Sequence, residues 1–297
     1  MKKKNNNPLV SIIMNCYNGA EYLDQSLKSV LNQNYKNWEL IFWDNKSIDA
    51  SKFIFRKFKD KRFNYFYSKK NYPLYKARKL ALKKCRGNLI AFLDVDDWWH
   101  KKKLSRQVKK FSQKNVGLVY SNLYLFNEKK KKYKLWSKNK LPEGSISSKL
   151  INNYNIGLLT VMLNKKIINK FNLNFNSNYK IIRDFDLFLK ISKKSRILCV
   201  QEPLAYYRMH QNNFTLKNQE ILIKELNNWV KINHKKFDTL EMNKFKNNIM
   251  YLKIRSEINK VNFFLFFLKI LRFPNFSIKI KLLLYLIIPK KILNFFI

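Results

Sequence analysis

The sequence predicts an α/β protein in which a mostly parallel central sheet is flanked by helices and followed by a C-terminal helical extension. Three observations carry this expectation. Short apolar runs alternate with segments of helical apolar spacing from residue 9 to residue 120. Several of those runs end in polar or acidic residues, as strands do where an open sheet presents its carboxyl ends. Beyond residue 215 the alternation gives way to mixed-polar helical spacing and then to dense apolar runs broken by basic residues.

Taken in order, Leu9 to Met14 reads as the first strand, and Leu23, Leu27, Val30 and Leu31 recur at helical spacing behind it. Trp38 to Trp43 forms a second strand ending at Asp44. A helix is expected from Ser47, with Phe53, Ile54 and Phe58 on its inner face. Phe63 to Tyr67 is a third strand; Ala77, Leu80 and Ala81 mark a helix that Gly87 stops, and Leu89 to Leu93 is a fourth strand. Leu104, Val108 and Phe111 suggest another helix before a strand at Val116 to Tyr120. Leu123–Phe126 and Tyr133–Trp136 then flank an exposed turn over Glu128–Lys132. Leu158 to Leu163 is expected as a strand, Asp184 to Ile191 as a helix, and Ile197–Val200 and Leu204–Tyr207 as two closing strands. The domain expectation is a core over residues 1–215 and a helical tail over 216–297.

The fourth strand is the most informative. Asn88-Leu-Ile-Ala-Phe-Leu-Asp-Val-Asp-Asp97 ends in three carboxylates within four positions, in a chain with 19 acidic residues against 61 Lys and Arg. Three such groups at the end of a core strand repel one another unless a cation lies among them. Carboxylate oxygens suit Mg²⁺ or Mn²⁺. A single Asp would be explained as a helix cap; three exceed what one cap needs.

With 5 glycines the chain has no glycine-rich phosphate loop, so nucleotide binding must rest on side chains and a cation. Cys16, Cys85 and Cys199 lack zinc-type pairing and fit a reducing compartment. Met1-Lys-Lys-Lys before Leu9–Met14 mimics a signal peptide, but the apolar stretch is short and reads better as a strand. The net charge of +42 is spread along the chain. It favours anionic surfaces, and nucleic acid is not the expected partner. In the tail, Phe263–Leu268 and Leu282–Ile288 are too short to span a bilayer, and their basic flanks suit a helix lying in the membrane interface.

Four segments line up at strand ends: Asn15-Cys-Tyr-Asn18, Trp43-Asp-Asn-Lys-Ser-Ile-Asp49, Lys76-Ala-Arg-Lys79 and Asp94-Val-Asp-Asp97. In this order, with Val10-Ser-Ile-Ile-Met-Asn-Cys-Tyr-Asn-Gly-Ala-Glu-Tyr-Leu23 and Ser29-Val-Leu-Asn-Gln-Asn-Tyr-Lys-Asn-Trp-Glu-Leu-Ile41, the chain resembles the family 2 glycosyltransferases over residues 8 to 215. The resemblance implies a GT-A fold and an inverting, metal-dependent transfer. The sugar would pass from a nucleotide-diphosphate donor to a glycan or lipid-linked acceptor in surface polysaccharide synthesis. It places the protein in the cytoplasm, peripheral on the inner face of the cytoplasmic membrane.

By the same resemblance Tyr17 stacks beside the nucleotide base, and Asp44 and Asn45 meet the base edge, where relatives carry two Asp. Arg78 faces the nucleotide or its phosphates, and Asp94 supports the ribose or the metal shell. Asp96 is the first metal ligand, with Asp97 nearby and His210 of the Tyr207-Arg-Met-His210 motif within reach of the metal or diphosphate. Asp184 is the base that takes the acceptor hydroxyl's proton, with Arg183 standing where relatives often have Glu; Asp186 is assigned to capping or pairing. A non-enzymatic basic protein binding nucleic acid or membrane on the same scaffold is the alternative.

Overall fold

A computed structural model of the chain describes residues 7–152, 154–211 and 213–257, with isolated positions beyond. The chain divides between Asn213 and Phe214 into two compact units. In the first, β1 (Val10–Cys16), α1 (Ala20–Leu31), β2 (Trp38–Asp44), α2 (Ser51–Arg56), β3 (Phe63–Tyr67), α3 (Leu74–Leu82) and β4 (Leu89–Phe92) alternate strictly. They are followed by β5 (Trp98–Trp99), α4 (Lys103–Lys110), β6 (Val116–Asn127) and β7 (Lys132–Leu135). Then come α5 (Ser147–Asn152), β8 (Met162–Asn164), α6 (Lys165–Lys170), α7 (Arg183–Lys194) and β9 (Arg196–Met209).

One sheet runs β3-β2-β1-β4-β8-β6-β9-β5, with β7 hydrogen-bonded to β6 off this path. β1 to β4 pair in parallel, which the intervening helices make possible; β8 enters antiparallel beside β4 and turns the sheet over to the parallel pair β6 and β9. β1, β2 and β4 are buried on both faces, which is why they read as continuous apolar runs rather than alternating ones. Val10, Ile12, Met14, Leu40, Phe42, Ala91 and Leu93 join Leu23, Leu27 and Val30 of α1 in the main core.

Two contacts bring the first helix against the acidic segment that follows β4. A Cβ on Gly19 would lie 2.7 Å from Val95 Cγ2, so only a glycine lets α1 begin so close to that loop. Ser26, about two turns further on, reaches the carbonyls of Val95 and Asp97 with its hydroxyl at 2.6 and 2.5 Å. The amino end of α1 is satisfied from the start of α2 and the loop before it: Ser51 Oγ accepts from Gly19 N at 3.0 Å and Asp49 Oδ2 from Ala20 N at 2.9 Å.

Four local expectations are corrected. α2 begins at Ser51 rather than Ser47, because Asp44 Oδ1 takes the Ser47 amide (2.7 Å) and Asp49 Oδ1 the Ser51 amide (3.0 Å), which builds a turn first. Ile54 and Phe58 pack against the main core as expected, but Phe53 is 65% exposed and the buried aromatic is Phe55, in ring contact with Phe42 at 4.5 Å. β6 and β9 are single long strands where the sequence suggested pairs of short ones. Register shifts around Asn122 absorb the mismatch, and the Asn122 side chain bonds Leu123 N and both backbone groups of Ser137. Of the expected strand at 158–163 only Met162 and Leu163 join the sheet, as part of β8; Leu158–Thr160 forms a 3₁₀ turn.

The second unit contains α8 (Phe214–Lys217), α9 (Gln219–Asn233) and α10 (Thr239–Glu257). Trp229 is buried in it, edge-on to Phe245 at 5.8 Å. Among the described residues no helix is long and apolar enough to cross a membrane. The apolar basic runs of the tail lie, isolated positions apart, outside the described residues.

At the opposite end of the parallel strands, Glu39 is buried in β2, where it accepts from Ser11 Oγ (2.6 Å), Arg86 N (2.7 Å) and Arg86 Nε (2.8 Å). Burial opposes its charge, but these three donors outweigh burial and hold its pKa below the ordinary glutamate value. Glu39→Ala strands the Ser11 hydroxyl and the Arg86 amide, and is expected to cost about 2 kcal/mol in denaturant unfolding near neutral pH. Because the folded pKa is depressed, that difference should shrink as pH falls through it, and a pH-independent difference would refute the assignment.

Candidate active site

Every candidate side chain of the first half of the chain sits at the carboxyl end of a parallel strand or on the helix facing it. β1 ends in Asn15, Cys16 and Tyr17, which with Asn45, Asn71, Tyr72, Leu74 and Ala77 line a cleft of about 180 Å³. Tyr17 stands at its rim, 53% exposed. Asn15 lies inside it, with both amide atoms buried and without a hydrogen-bond partner among the described residues. A buried primary amide offers one donor group and one acceptor, and leaving both unmade is costly. In the sequence Asn15 is simply the first residue of a strand-end motif; its unsatisfied state is visible only in three dimensions.

Asp44 lies behind the cleft and Asn45 on its wall, and both are engaged by hydrogen bonds within the protein. Asp44 is fully buried, and its two oxygens accept from Ser47 N at 2.7 Å and from the Tyr65 hydroxyl at 2.5 Å. Burial and that carboxylate together push the Tyr65 phenol well up. Asn45 lines the cleft, but its amide is used to bind the 71–72 loop: Nδ2 donates to Asn71 Oδ1 (2.8 Å) and Tyr72 O (2.7 Å), and Oδ1 accepts from Tyr72 N (3.1 Å). Both residues shape the cleft wall from behind.

The acidic segment is held from two sides. Arg78 on α3 donates to Asp94 Oδ1 at 2.9 Å. Asp96 Oδ2 meets His210 Nε2 at 2.9 Å, which joins the end of β4 to the end of β9 across 114 residues of sequence. Burial and the neighbouring charge of Asp94 raise the Asp96 pKa. Asp97 is placed differently from the expected metal shell. It is 2% exposed, its Oδ1 accepts from Arg208 N at 2.9 Å, and burial drives its pKa well above the carboxylate range. It therefore belongs to the frame.

Arg208, which sequence reasoning passed over, is the other half of that frame. Its guanidinium donates to Asp96 O (2.9 Å), to Glu128 Oε1 (3.3 Å) and to Gln25 Oε1. It also lies over the Tyr22, Trp98 and Phe126 rings at 4.5, 4.8 and 5.5 Å. Its place between Tyr207 and His210 in an aromatic-rich strand was the only available signal.

Asp184 sits in the first turn of α7, where Oδ1 accepts from Phe185 N at 2.9 Å. Burial raises its pKa; the Arg78 charge pulls it down and Asp94 pushes it up, with upward as the net direction. The buried Tyr154 phenol beside it is shifted upward too, by burial first and then by the Asp184 charge. Asp186 is paired with Lys190 Nζ at 2.6 Å.

The donor chemistry at Asp96 and His210 fits a divalent cation. A carboxylate oxygen and an imidazole nitrogen already stand 2.9 Å apart, partly open to solvent and beside Asp94, and Mn²⁺ accepts both ligand types. Among the described residues no three His, Cys, Asp or Glu side chains are gathered for a metal. Phosphate oxygens and water commonly fill the rest of such a shell.

A sheet whose parallel half carries a base-sized cleft, with an Asp-x-Asp-Asp loop beside it and an acidic helix start from the second half, defines a GT-A glycosyltransferase. The chain belongs to Glycosyl transferase family 2, whose profile matches residues 11–172. It is 33% identical over 209 residues to the UDP-Glc:alpha-D-GlcNAc-diphosphoundecaprenol beta-1,3-glucosyltransferase WfgD of Escherichia coli, spanning 70% of this chain and 79% of WfgD. Among solved structures it resembles S. aureus TarS 1-349 in complex with UDP, with a TM-score of 0.62, 17% identity, and coverage of 88% of this chain and 78% of that one. It also resembles the mannosyltransferase PcManGT from Pyrobaculum calidifontis in complex with GDP-Man and Mn²⁺, with a TM-score of 0.61, 13% identity, and coverage of 86% and 76%. The non-enzymatic alternative is set aside: the protein is a glycosyltransferase.

Arg208→Lys keeps the charge but cannot make the three-way fork. It is expected to lower stability by about 2 kcal/mol in denaturant unfolding and to weaken nucleoside diphosphate binding. Wild-type values for both would show that another contact holds the acidic loop.

Proposed function

We propose that this glycosyltransferase moves a sugar, with inversion, from a nucleoside diphosphate to a hydroxyl of a lipid-linked glycan in the synthesis of a surface polysaccharide. It works as a peripheral protein on the inner face of the cytoplasmic membrane, with residues 216–297 as a basic, apolar attachment region and a divalent cation as cofactor. The observation that carries the chemistry is the meeting of Asp96 with His210 beside the Arg78–Asp94 pair, with Asp184 within the field of the same arginine. The similarity to WfgD, whose name specifies UDP-Glc and a diphosphoundecaprenol acceptor, supports the donor and acceptor classes.

The chain's own groups divide the work. Tyr17 stacks on the base at the mouth of the cleft, and the unsatisfied Asn15 amide offers it a donor and an acceptor. Arg78 orients Asp94 toward the donor. A cation held by Asp96 and His210 would offset the charge that grows on the departing diphosphate. Asp184 takes the acceptor hydroxyl's proton while that oxygen bonds to the anomeric carbon. The bond from that carbon to the phosphate oxygen breaks on the opposite face, and the nucleoside diphosphate leaves with the electron pair. Burial raises the Asp184 pKa toward the working pH, which makes it a more effective base than a solvated aspartate.

Calorimetric titration with UDP, GDP and dTDP, each with and without Mn²⁺, tests the donor half; metal-dependent binding of one diphosphate is expected, and binding of none would overturn the reading. Asp184→Asn should bind that diphosphate normally yet lose about 10²-fold or more in kcat. Arg78→Leu removes the cation that lowers the Asp184 pKa, so the acidic limb of the kcat/KM profile should move to higher pH. A limb that stays in place would remove Asp184 as the base.

A further inference from the structure

The β6–β7 hairpin carries a feature that sugar transfer does not require. Residues 129–140 contain seven lysines (129–132, 134, 138 and 140) and no acidic residue. All seven are exposed. The one carboxylate at the root of the turn, Glu128, is used internally, by Arg208 Nη1 at 3.3 Å and the Tyr22 hydroxyl at 3.0 Å. Between the lysines stand two large aromatics with open faces, Tyr133 at 57% and Trp136 at 45% exposure.

The alternation of β7 separates these properties. Tyr133 lies opposite Phe126 and is packed with Phe126, Tyr124 and Tyr206 at ring distances of 4.9, 6.3 and 6.0 Å, while Lys132 and Lys134 point to the other face. The aromatic face continues into an open groove of about 920 Å³ whose far wall, on α1 and the segment after β5, adds Lys101, together with Lys28 in an exposed pair with Asp24 at 2.6 Å. Aromatic rings with one wet face, set among lysines, match the headgroup level of an anionic bilayer: rings enter the interface and ammonium groups meet lipid phosphates.

The hairpin is also at the right end of the molecule. β6 runs parallel to β9, and Asn127 is in register with Met209, one residue before His210. Glu128 at its root is one arginine away from Asp96, through the Arg208 guanidinium. A surface that engages this hairpin therefore lies on the side of the sheet where Asp94, Asp96 and His210 emerge.

We infer that the β6–β7 hairpin is an anionic-membrane contact that turns the catalytic face toward the bilayer, where a lipid-linked diphosphate acceptor is embedded. This rests on the peripheral-membrane reading above and goes beyond it, because it assigns orientation to the catalytic domain and not to the tail.

Cys16, Cys85 and Cys199 are buried, so in the full chain a thiol introduced as Lys130→Cys is selectively labelled with an environment-sensitive fluorophore. With phosphatidylcholine vesicles containing phosphatidylglycerol, its emission should shift to the blue and revert at high salt; pure phosphatidylcholine should leave it unchanged. The same label at Lys114→Cys, before the other end of β6, should stay silent with both. Replacing Lys129, Lys130 and Lys132 by Gln together with Trp136→Ser should lower partition onto the anionic vesicles about tenfold or more, with nucleoside diphosphate binding unchanged. Co-sedimentation with a silent Lys130 label would overturn the inference and leave the peripheral reading standing. Failure to co-sediment at all would overturn both. A salt-sensitive shift with RNA and none with vesicles would make the hairpin a nucleic-acid patch and overturn the inference as well.

Discussion

Three carboxylates in four residues repel one another, and the catalytic end of this protein is organised around containing that repulsion. Arg78 from α3 takes Asp94, while Arg208 from β9 takes the backbone of Asp96 through its side chain and the carboxylate of Asp97 through its amide. The two arginines reach the loop from elements far apart in sequence. Neither half of the sheet alone could hold it, and folding the second half onto the first is what assembles the site. α1 closes the third side, with the Ser26 hydroxyl on the Val95 and Asp97 carbonyls and Gly19 giving the helix room to approach.

The arrangement gives adjacent aspartates different work. Asp97 is sealed in and satisfied by a neutral amide, so it braces the loop. Asp96 keeps some solvent access and shares its oxygen with the His210 imidazole, a group that would serve equally as a metal ligand in the proposed reaction. Environment sets the role here, since the two side chains are chemically identical.

The first half of the fold was legible from the sequence because parallel strands buried on both faces leave continuous apolar runs, and α1 and α3 leave clear helical spacing. β6 and β9 were harder: Asn122 and Glu202-Pro203 interrupt the apolar pattern, yet register shifts let both strands continue. At the site, the placement of the acidic cluster could be read from a strand end, whereas Arg78 came from the family resemblance and its segment lies within α3. For Asp44 and Asn45, strand-end position does not reveal that Tyr65, Ser47, Asn71 and Tyr72 hydrogen-bond to their side chains. The same limit hid Asn15, whose importance comes from partners it lacks, and Arg208, whose partners are scattered from Gln25 to Glu128.

Arg78 finally links the two halves of the proposed reaction. It is paired with Asp94 on the donor side, and its charge also lowers the pKa of Asp184, while Asp94 raises it. A donor diphosphate arriving near Asp94 brings further negative charge and draws on the same arginine. Drawing Arg78 away from Asp184 would raise the Asp184 pKa, and the cation proposed at Asp96 and His210 would set how much of the diphosphate's own charge Asp184 feels. As a separate, solvated carboxylate Asp184 would be a weak base whether or not donor were bound. In the proposed reaction, its position in the field of Arg78 would couple its basicity to the charge on the donor side, and so tie deprotonation of the acceptor to the presence of a sugar to receive it.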